Sequence, residues 1–169
     1  MKLAIDVHYN GDDYAIASGV LFKDWESAEV EAVVSVRVDE ILPYQSGSFY
    51  KRELPCVLAL LKKIKIEPEI IVIDGYVTLG DDQTDGLGAH LYKAIDSKIP
   101  IIGVAKNSFS GTGEKYQVFR GDSKKPLYIT TAGMNLETAK NKIKSMHGKF
   151  RIPTILKRVD SECRQIVLP

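Results

Sequence analysis

Two cysteines, one tryptophan and three methionines are all that the 169 residues hold of those types. Cys56 and Cys163 stand far apart with no paired CxxC spacing, which excludes a disulfide framework, a dithiol redox motif and a cysteine-rich zinc site. Both read as free thiols in a reducing cytosol. No apolar run is long enough to cross a bilayer, and the amino terminus enters a short strand without the apolar core of a signal peptide, so the expectation is a cytoplasmic protein with no membrane partner. Charge of one sign is also missing: 23 Lys and Arg stand against 22 Asp and Glu, a formal net charge of +1. That balance removes the global basic field of many nucleic-acid binders and leaves room only for local patches. Neither an internal repeat nor a linker interrupts the chain. Its 44% hydrophobic and 27% charged residues suit one soluble domain over residues 1–169, expected to be a monomer.

What is present begins with a strand. Lys2 to Tyr9 is short and apolar but broken by Asp6, and Asn10-Gly11-Asp12-Asp13 after it is a hairpin turn signal. Tyr14 to Phe22 and Val30 to Val38 read as two further strands of an antiparallel meander. From about Ser48 to Lys65, Leu54, Val57, Leu58, Leu61 and Ile64 recur at helical spacing, with Pro55 expected in the first turn where proline is tolerated. Glu69-Ile70-Ile71-Val72-Ile73-Asp74-Gly75 then reads as a buried central strand that ends on a carboxylate, where open α/β sheets hold their ligands. Val77 to Asp85 is polar and Asp-rich, hence a loop. A helix over Leu87 to Ile95, a buried strand from Ile99 to Val104, an irregular Ser108 to Lys125, a short strand Leu127 to Thr130, a helix Asn135 to His147 and a basic tail complete the chain.

Three acids fall on these elements at telling places: Asp6 inside the first strand, Glu53 in the first turn of the first long helix, and Asp74 at the exit of the fourth strand. An aspartate inside a strand is disfavoured and asks for a partner, most naturally a cation. If strands one and four are neighbours, the three converge, and hard oxygen ligands suit magnesium, with manganese as a substitute. Singly, each acid has a plainer reading, as a helix-dipole residue, a turn former or a tolerated edge acid.

The segments Ile5-Asp6-Val7-His8-Tyr9, Pro43-Tyr44-Gln45-Ser46-Gly47, Arg52-Glu53-Leu54-Pro55, Val72-Ile73-Asp74-Gly75, Gly86-Leu87-Gly88-Ala89-His90-Leu91, Gly103-Val104-Ala105-Lys106 and Arg151-Ile152-Pro153, in that order, resemble the endonuclease V family. The resemblance implies an α/β ribonuclease H-like fold: a mixed sheet, antiparallel meander plus parallel strands, with helices on both faces. It also implies a magnesium-dependent endonuclease that cuts DNA or RNA near deaminated bases, chiefly inosine, or distorted sites. Asp6, Glu53 and Asp74 would be catalytic metal-binding carboxylates, and Lys106 the cation beside the phosphate. Tyr44 would sit in the wedge loop that opens the strand, and His90 matches a family histidine. After Arg151-Ile152-Pro153 a basic segment closes on an acid, which makes Asp160 the expected fourth ligand and Lys157 and Arg158 the expected holders of the nucleic-acid backbone.

Departures from the family pattern keep a second function in play. After Asp74-Gly75 the family carries a basic stretch, whereas this sequence runs Tyr76-Val77 and then Asp81-Asp82-Gln83-Thr84-Asp85. Ser46 replaces a proline of the wedge. The family's helical segment before the first strand is also missing. The alternative is a catalytically altered or inactive relative that binds nucleic acid on the same fold.

Overall fold

β1 (Lys2–Asn10) is the strand on which the sheet turns from antiparallel to parallel. The computed structural model describes residues 1–165. On one side β1 pairs antiparallel with β2 (Tyr14–Phe22), which pairs in turn with β3 (Ala32–Val38). Asn10 faces Tyr14 across the hairpin, and Gly11 takes the left-handed conformation (φ +58°) that closes it. On its other side β1 runs parallel to β4 (Ile70–Asp74), with Ile5 opposite Ile73. β5 (Thr78–Leu79) and β6 (Thr84–Asp85) form a separate small hairpin inside the segment read as a plain loop. β7 (Ile101–Ala105) continues parallel to β4; β8 (Gln117–Val118) and β9 (Leu127–Ala132) complete the sheet in the order β3-β2-β1-β4-β7-β9-β8. The irregular stretch expected from Ser108 to Lys125 thus contains an edge strand, preceded by a single 3-10 turn at Glu114–Tyr116.

The mixed α/β sheet with helices on both faces is as expected. Strand alternation sorts its residues. Leu3, Ile5, Ile71, Ile73 and Ile101 pack with α1 (Phe49–Lys63) and α2 (Leu87–Ala94), while Ala4, Val72, Ile102 and Val104 pack with α3 (Leu136–Ser145) and α4 (Thr154–Gln165). Each fully buried Leu or Ile contributes about 1.5–3 kcal/mol, so the two layers fix the register firmly. Asp6 follows Ala4 and Asp74 follows Val72 in the even-numbered set. Both carboxylates therefore stand on the α4 face of the sheet.

Two expectations about α1 are corrected. Counting from Phe49, Glu53 is the fifth residue and Pro55 the seventh, so neither lies in the first turn, which holds no acid. The helix starts where it was expected, at Phe49 after Ser48, and Phe49, Tyr50, Lys51 and Arg52 already fill its opening turn. Pro55 lacks the N–H that would bond the Lys51 carbonyl, a defect that generally costs a helix interior about 3 kcal/mol. The buried stripe is also rotated from the periodic set: Cys56, Val57 and Leu60 are fully buried, with Leu54, Leu58 and Leu61 at its margin. No helix among the described residues is long and apolar enough to cross a membrane.

Candidate active site

Asp6 is 8% exposed, and one of its carboxylate oxygens accepts the Val7 N–H at 2.8 Å. Burial first, and then the charge of Asp74, push its pKa up to about 8 against the pull of that N–H and of Lys106. The nearby Asp160 carboxyl adds to the rise. α4 brings Asp160 to this place because Ile155, Val159 and Cys163 face the sheet and leave Asp160 at the edge of the buried stripe. Burial would raise the Asp160 pKa, but Arg164, bonded to it at 2.7 Å, and Asp6 outweigh that and lower it.

Asp74 is the hub of the acids. Its pKa is raised, by burial first, with Asp160 adding to the rise and Lys106 opposing it. The Lys106 ammonium lies 3.6 Å from an Asp74 oxygen. Glu53 comes from α1, on the other side of the sheet; burial and then Asp74 push it up to about 7, with Arg52 pulling back. The structure therefore brings Asp6, Glu53, Asp74, Asp160 and Lys106 together around the middle of β1 and the exits of β4 and β7. Carboxyls held this way, with burial and mutual repulsion raising the pKa of Asp6, Glu53 and Asp74, are a donor set that a hard divalent cation fits, since the ion would supply the missing positive charge. The tightest trio is Asp6, Asp160 and Cys163, whose ligand atoms all lie within 4.8 Å of one another. Cys163 is pushed up to about 12 by burial and by Asp6 and Asp160, so at neutral pH it is a thiol. Both cysteines are free and buried.

Beside the acids opens a cleft of about 620 Å³ lined by Phe49, Tyr50, Tyr76, Phe109, Asp74 and Lys106 among others. Two glycines shape it. Gly75 at φ +132° turns the chain out of β4, and a Cβ on Gly103 would come within 2.5 Å of the Gly75 carbonyl and 2.8 Å of the Val77 nitrogen. Val77 is anchored by donating its N–H to Thr130 Oγ1 at 2.8 Å. Tyr76, between these anchors, gives its hydroxyl to the Asn107 carbonyl at 2.6 Å and meets Phe109 edge-on.

The remaining residues singled out in the sequence lie further out. Tyr44 is 54% exposed and packs edge-on against Phe49, with ring centroids 5.1 Å apart. His90 stacks flat on Tyr50 at 3.6 Å. Lys157 is exposed on α4 about 60° around the helix from Asp160, whereas Arg158 is about 160° away from it and is held by Glu162 at 2.7 Å. Arg158 is thus not brought to the acids. Sequence reasoning missed the aromatics of the cleft and the nearness of Cys163. Tyr76 could have been found, because it directly follows Asp74-Gly75; Phe109 sits in a stretch with no periodicity to read.

A mixed sheet whose adjacent parallel strands and last helix gather carboxylates beside an aromatic cleft defines a nuclease of the ribonuclease H-like class. The endonuclease V family profile matches residues 3–143, and this chain belongs to that family. Endonuclease V from Streptomyces avermitilis is 28% identical in an alignment covering 95% of this chain and 78% of the relative. Its crystal structure superimposes with a TM-score of 0.76, covering 96% of this chain and 79% of that one. Human endonuclease V is 26% identical with a TM-score of 0.78, covering 97% and 82%. Endonuclease V of Ciona intestinalis, solved with a 24mer DNA containing an inosine followed by a ribo-adenosine, shares the fold at 21% identity and a TM-score of 0.78, covering 97% and 84%. α4, which carries Asp160, lies beyond the profile match but within the span of these structural likenesses.

Proposed function

We propose that this chain is a single-domain, monomeric, cytoplasmic endonuclease that uses magnesium, or manganese in its place, to cut DNA or RNA near inosine or at distorted sites. The observation that carries the reading is the convergence of Asp6, Glu53, Asp74 and Asp160 beside an aromatic cleft, with the pKa of Asp6, Glu53 and Asp74 all raised. The inosine preference comes from family membership. Asp6, Glu53, Asp74 and Asp160 would hold the cations. Bound there, divalent ions supply an activated water and charge stabilisation for the attacking and leaving oxygens of a phosphodiester.

The other parts of the reading belong to the chain itself. The Val7 N–H fixes one Asp6 oxygen and so orients the carboxylate for ligation. Lys106 releases Asp74 when a cation replaces it and turns its ammonium to the phosphate, where charge develops. Tyr76 and Phe109 offer ring faces and edges to an unstacked base, and Tyr44 with Phe49 stands at the cleft mouth to prise the strand open. His90 holds Tyr50 in line from behind. Lys157 adds backbone attraction from α4, and Arg158 contributes once Glu162 lets it go.

One observation favours the second reading, a relative that binds without cutting: the β5–β6 hairpin puts exposed Asp81 and Asp82 beside the cleft rim, where they repel phosphates. Incubating the protein with magnesium or manganese and end-labelled single- and double-stranded DNA and RNA, with and without inosine, separates the two. Metal-dependent products near inosine are expected; binding without products under either metal would leave the binding module as the function.

A further inference from the structure

Two guanidiniums, of buried Arg120 and part-buried Arg151, have no part in the charge chemistry described above. Neither is paired with a carboxylate among the described residues; both donate to main-chain carbonyls instead. Arg120, 5% exposed, donates to Phe150 O at 2.6 Å, Gly148 O at 3.0 Å, Arg151 O at 3.2 Å and Met146 O, and so gathers the connection between α3 and α4 around itself. Arg151 reaches from the end of that connection to Lys106 O and, at 3.1 Å, to Pro126 O. In both residues Nε is buried without a hydrogen-bond partner. Burying a charged group that is incompletely satisfied is costly, and an apolar side chain would fill the same space without that cost. What an apolar residue could not do is hold a particular carbonyl in a particular place.

The carbonyls held by Arg151 mark the exit of β7 and the approach to β9. Lys106 directly follows β7, and its ammonium is the one that meets Asp74. Three residues after Arg151, α4 begins at Thr154, which is itself tied to His147 by Thr154 N–H to His147 O at 2.9 Å and by a side-chain contact of 2.9 Å between His147 Nδ1 and Thr154 Oγ1. One guanidinium therefore joins the strand exit that carries Lys106 to the start of the helix that carries Asp160.

We propose that Arg151 is a positioning residue for the nuclease reaction: by fixing the main chain at Lys106 it sets where the Lys106 ammonium can reach, to Asp74 in this structure and to the phosphate in the working site, in register with the helix that delivers Asp160. This rests on the reading of the site given above, in which Lys106 faces the phosphate. Displacing a reacting group by about 1 Å costs on the order of 100-fold in rate, so loosening this tie lowers turnover far more than substrate affinity.

The test uses Arg151→Lys, which keeps the charge but replaces the rigid guanidinium, one nitrogen of which serves both carbonyls, by a flexible ammonium on a shorter reach, and Arg151→Gln, which keeps a donor in case the first variant folds poorly. The Lys106 side-chain ammonium resonance, identified by its loss in Lys106→Ala, is followed by NMR in the metal-free protein. It is expected to move in the Arg151 variants toward its position in Asp74→Asn, while the amides of α4 stay protected from exchange. Turnover is expected to fall roughly 10-fold to 100-fold with KM changed less than about 3-fold. In a Lys106→Ala background Arg151→Lys adds little further loss, because both act on one step. An unmoved Lys106 resonance in a folded Arg151 variant, or losses that multiply in the double variant, would overturn the proposal. A wild-type protein without cleavage under magnesium or manganese instead overturns the nuclease reading, and the Lys106 resonance alone then decides whether Arg151 holds this lysine.

Discussion

Lys106 and Asp74 leave adjacent parallel strands and meet with an ammonium-to-carboxylate distance of 3.6 Å. The lysine stands where a divalent cation would compete with it, and it neutralises only part of the charge: Asp6 and Glu53 still sit at raised pKa values of about 8 and about 7.

That imbalance sets the pH dependence of stability without metal. A carboxyl whose folded pKa lies above its unfolded value stabilises the fold fully below the unfolded value, and the contribution is lost as pH rises through the folded one. For Asp6 the window runs from its ordinary value of 3.8 to about 8. Thermal unfolding across that range is expected to show a falling Tm, by about 5 °C for a loss of roughly 2 kcal/mol, and Asp6→Asn is expected to flatten the fall. Magnesium should restore the Tm of the wild type at pH 8 and leave Asp6→Asn nearly unmoved.

Cation binding must drive protons off the same groups. Calorimetric titration with magnesium in two buffers of different ionisation enthalpy is expected to show proton release at pH 6.5 that shrinks by pH 9, with apparent affinity rising over that interval. Equal affinity at both pH values would mean that Asp6 and Glu53 are not ligands.

Asp160, carried by α4 and restrained by Arg164, is the proposed fourth ligand. Asp160→Ala is expected to lower turnover about 10-fold to 100-fold and to weaken magnesium binding, leaving residual activity. Lys157→Ala should weaken nucleic-acid binding and reduce the slope of log affinity against log salt by about 1. Arg158→Ala, on the far side of α4 and paired with Glu162, is expected to change that slope by less.

In the proposed site the cleft aromatics would act by stacking. Tyr76→Ala and Phe109→Ala are each expected to weaken substrate binding by about 1–3 kcal/mol, or roughly 5-fold to 150-fold in KM. Tyr76→Phe should keep most of the stacking and lose only the tie to the Asn107 carbonyl. If Tyr76→Ala leaves KM unchanged, the base lies elsewhere.

Much of this geometry is legible in the sequence, for physical reasons. Ile70 to Ile73 can hardly be anything but a strand covered on both sides, so Asp74 falls at its exit, and Asp6 inside an apolar strand announces an unmet charge. The ordered family segments then identify the fold. Position along a helix was harder to read: Pro55 looks like a first-turn residue because proline is tolerated there, yet α1 begins at Phe49 and carries the proline in its second turn. Side-chain convergence from remote segments was not legible at all. Nothing local to Cys163 tells that it will lie against Asp6, and nothing near Phe109 tells that it will face Tyr76, because both relationships come from how α4 and the 108–125 segment pack on the sheet. The tie from Arg151 to Lys106 spans 45 residues and belongs to the same kind.

The account's central claim is that Asp74 is the shared anchor of a cation-dependent cutting site. Single-turnover cleavage of one end-labelled inosine-containing oligonucleotide in saturating magnesium, by the wild type and by Asp74→Asn of equal or higher Tm, tests it most directly. The account expects cleavage near the inosine by the wild type and a loss of at least about 1000-fold in the variant, a barrier increase of roughly 4 kcal/mol. Cleavage by Asp74→Asn at the wild-type rate would contradict it.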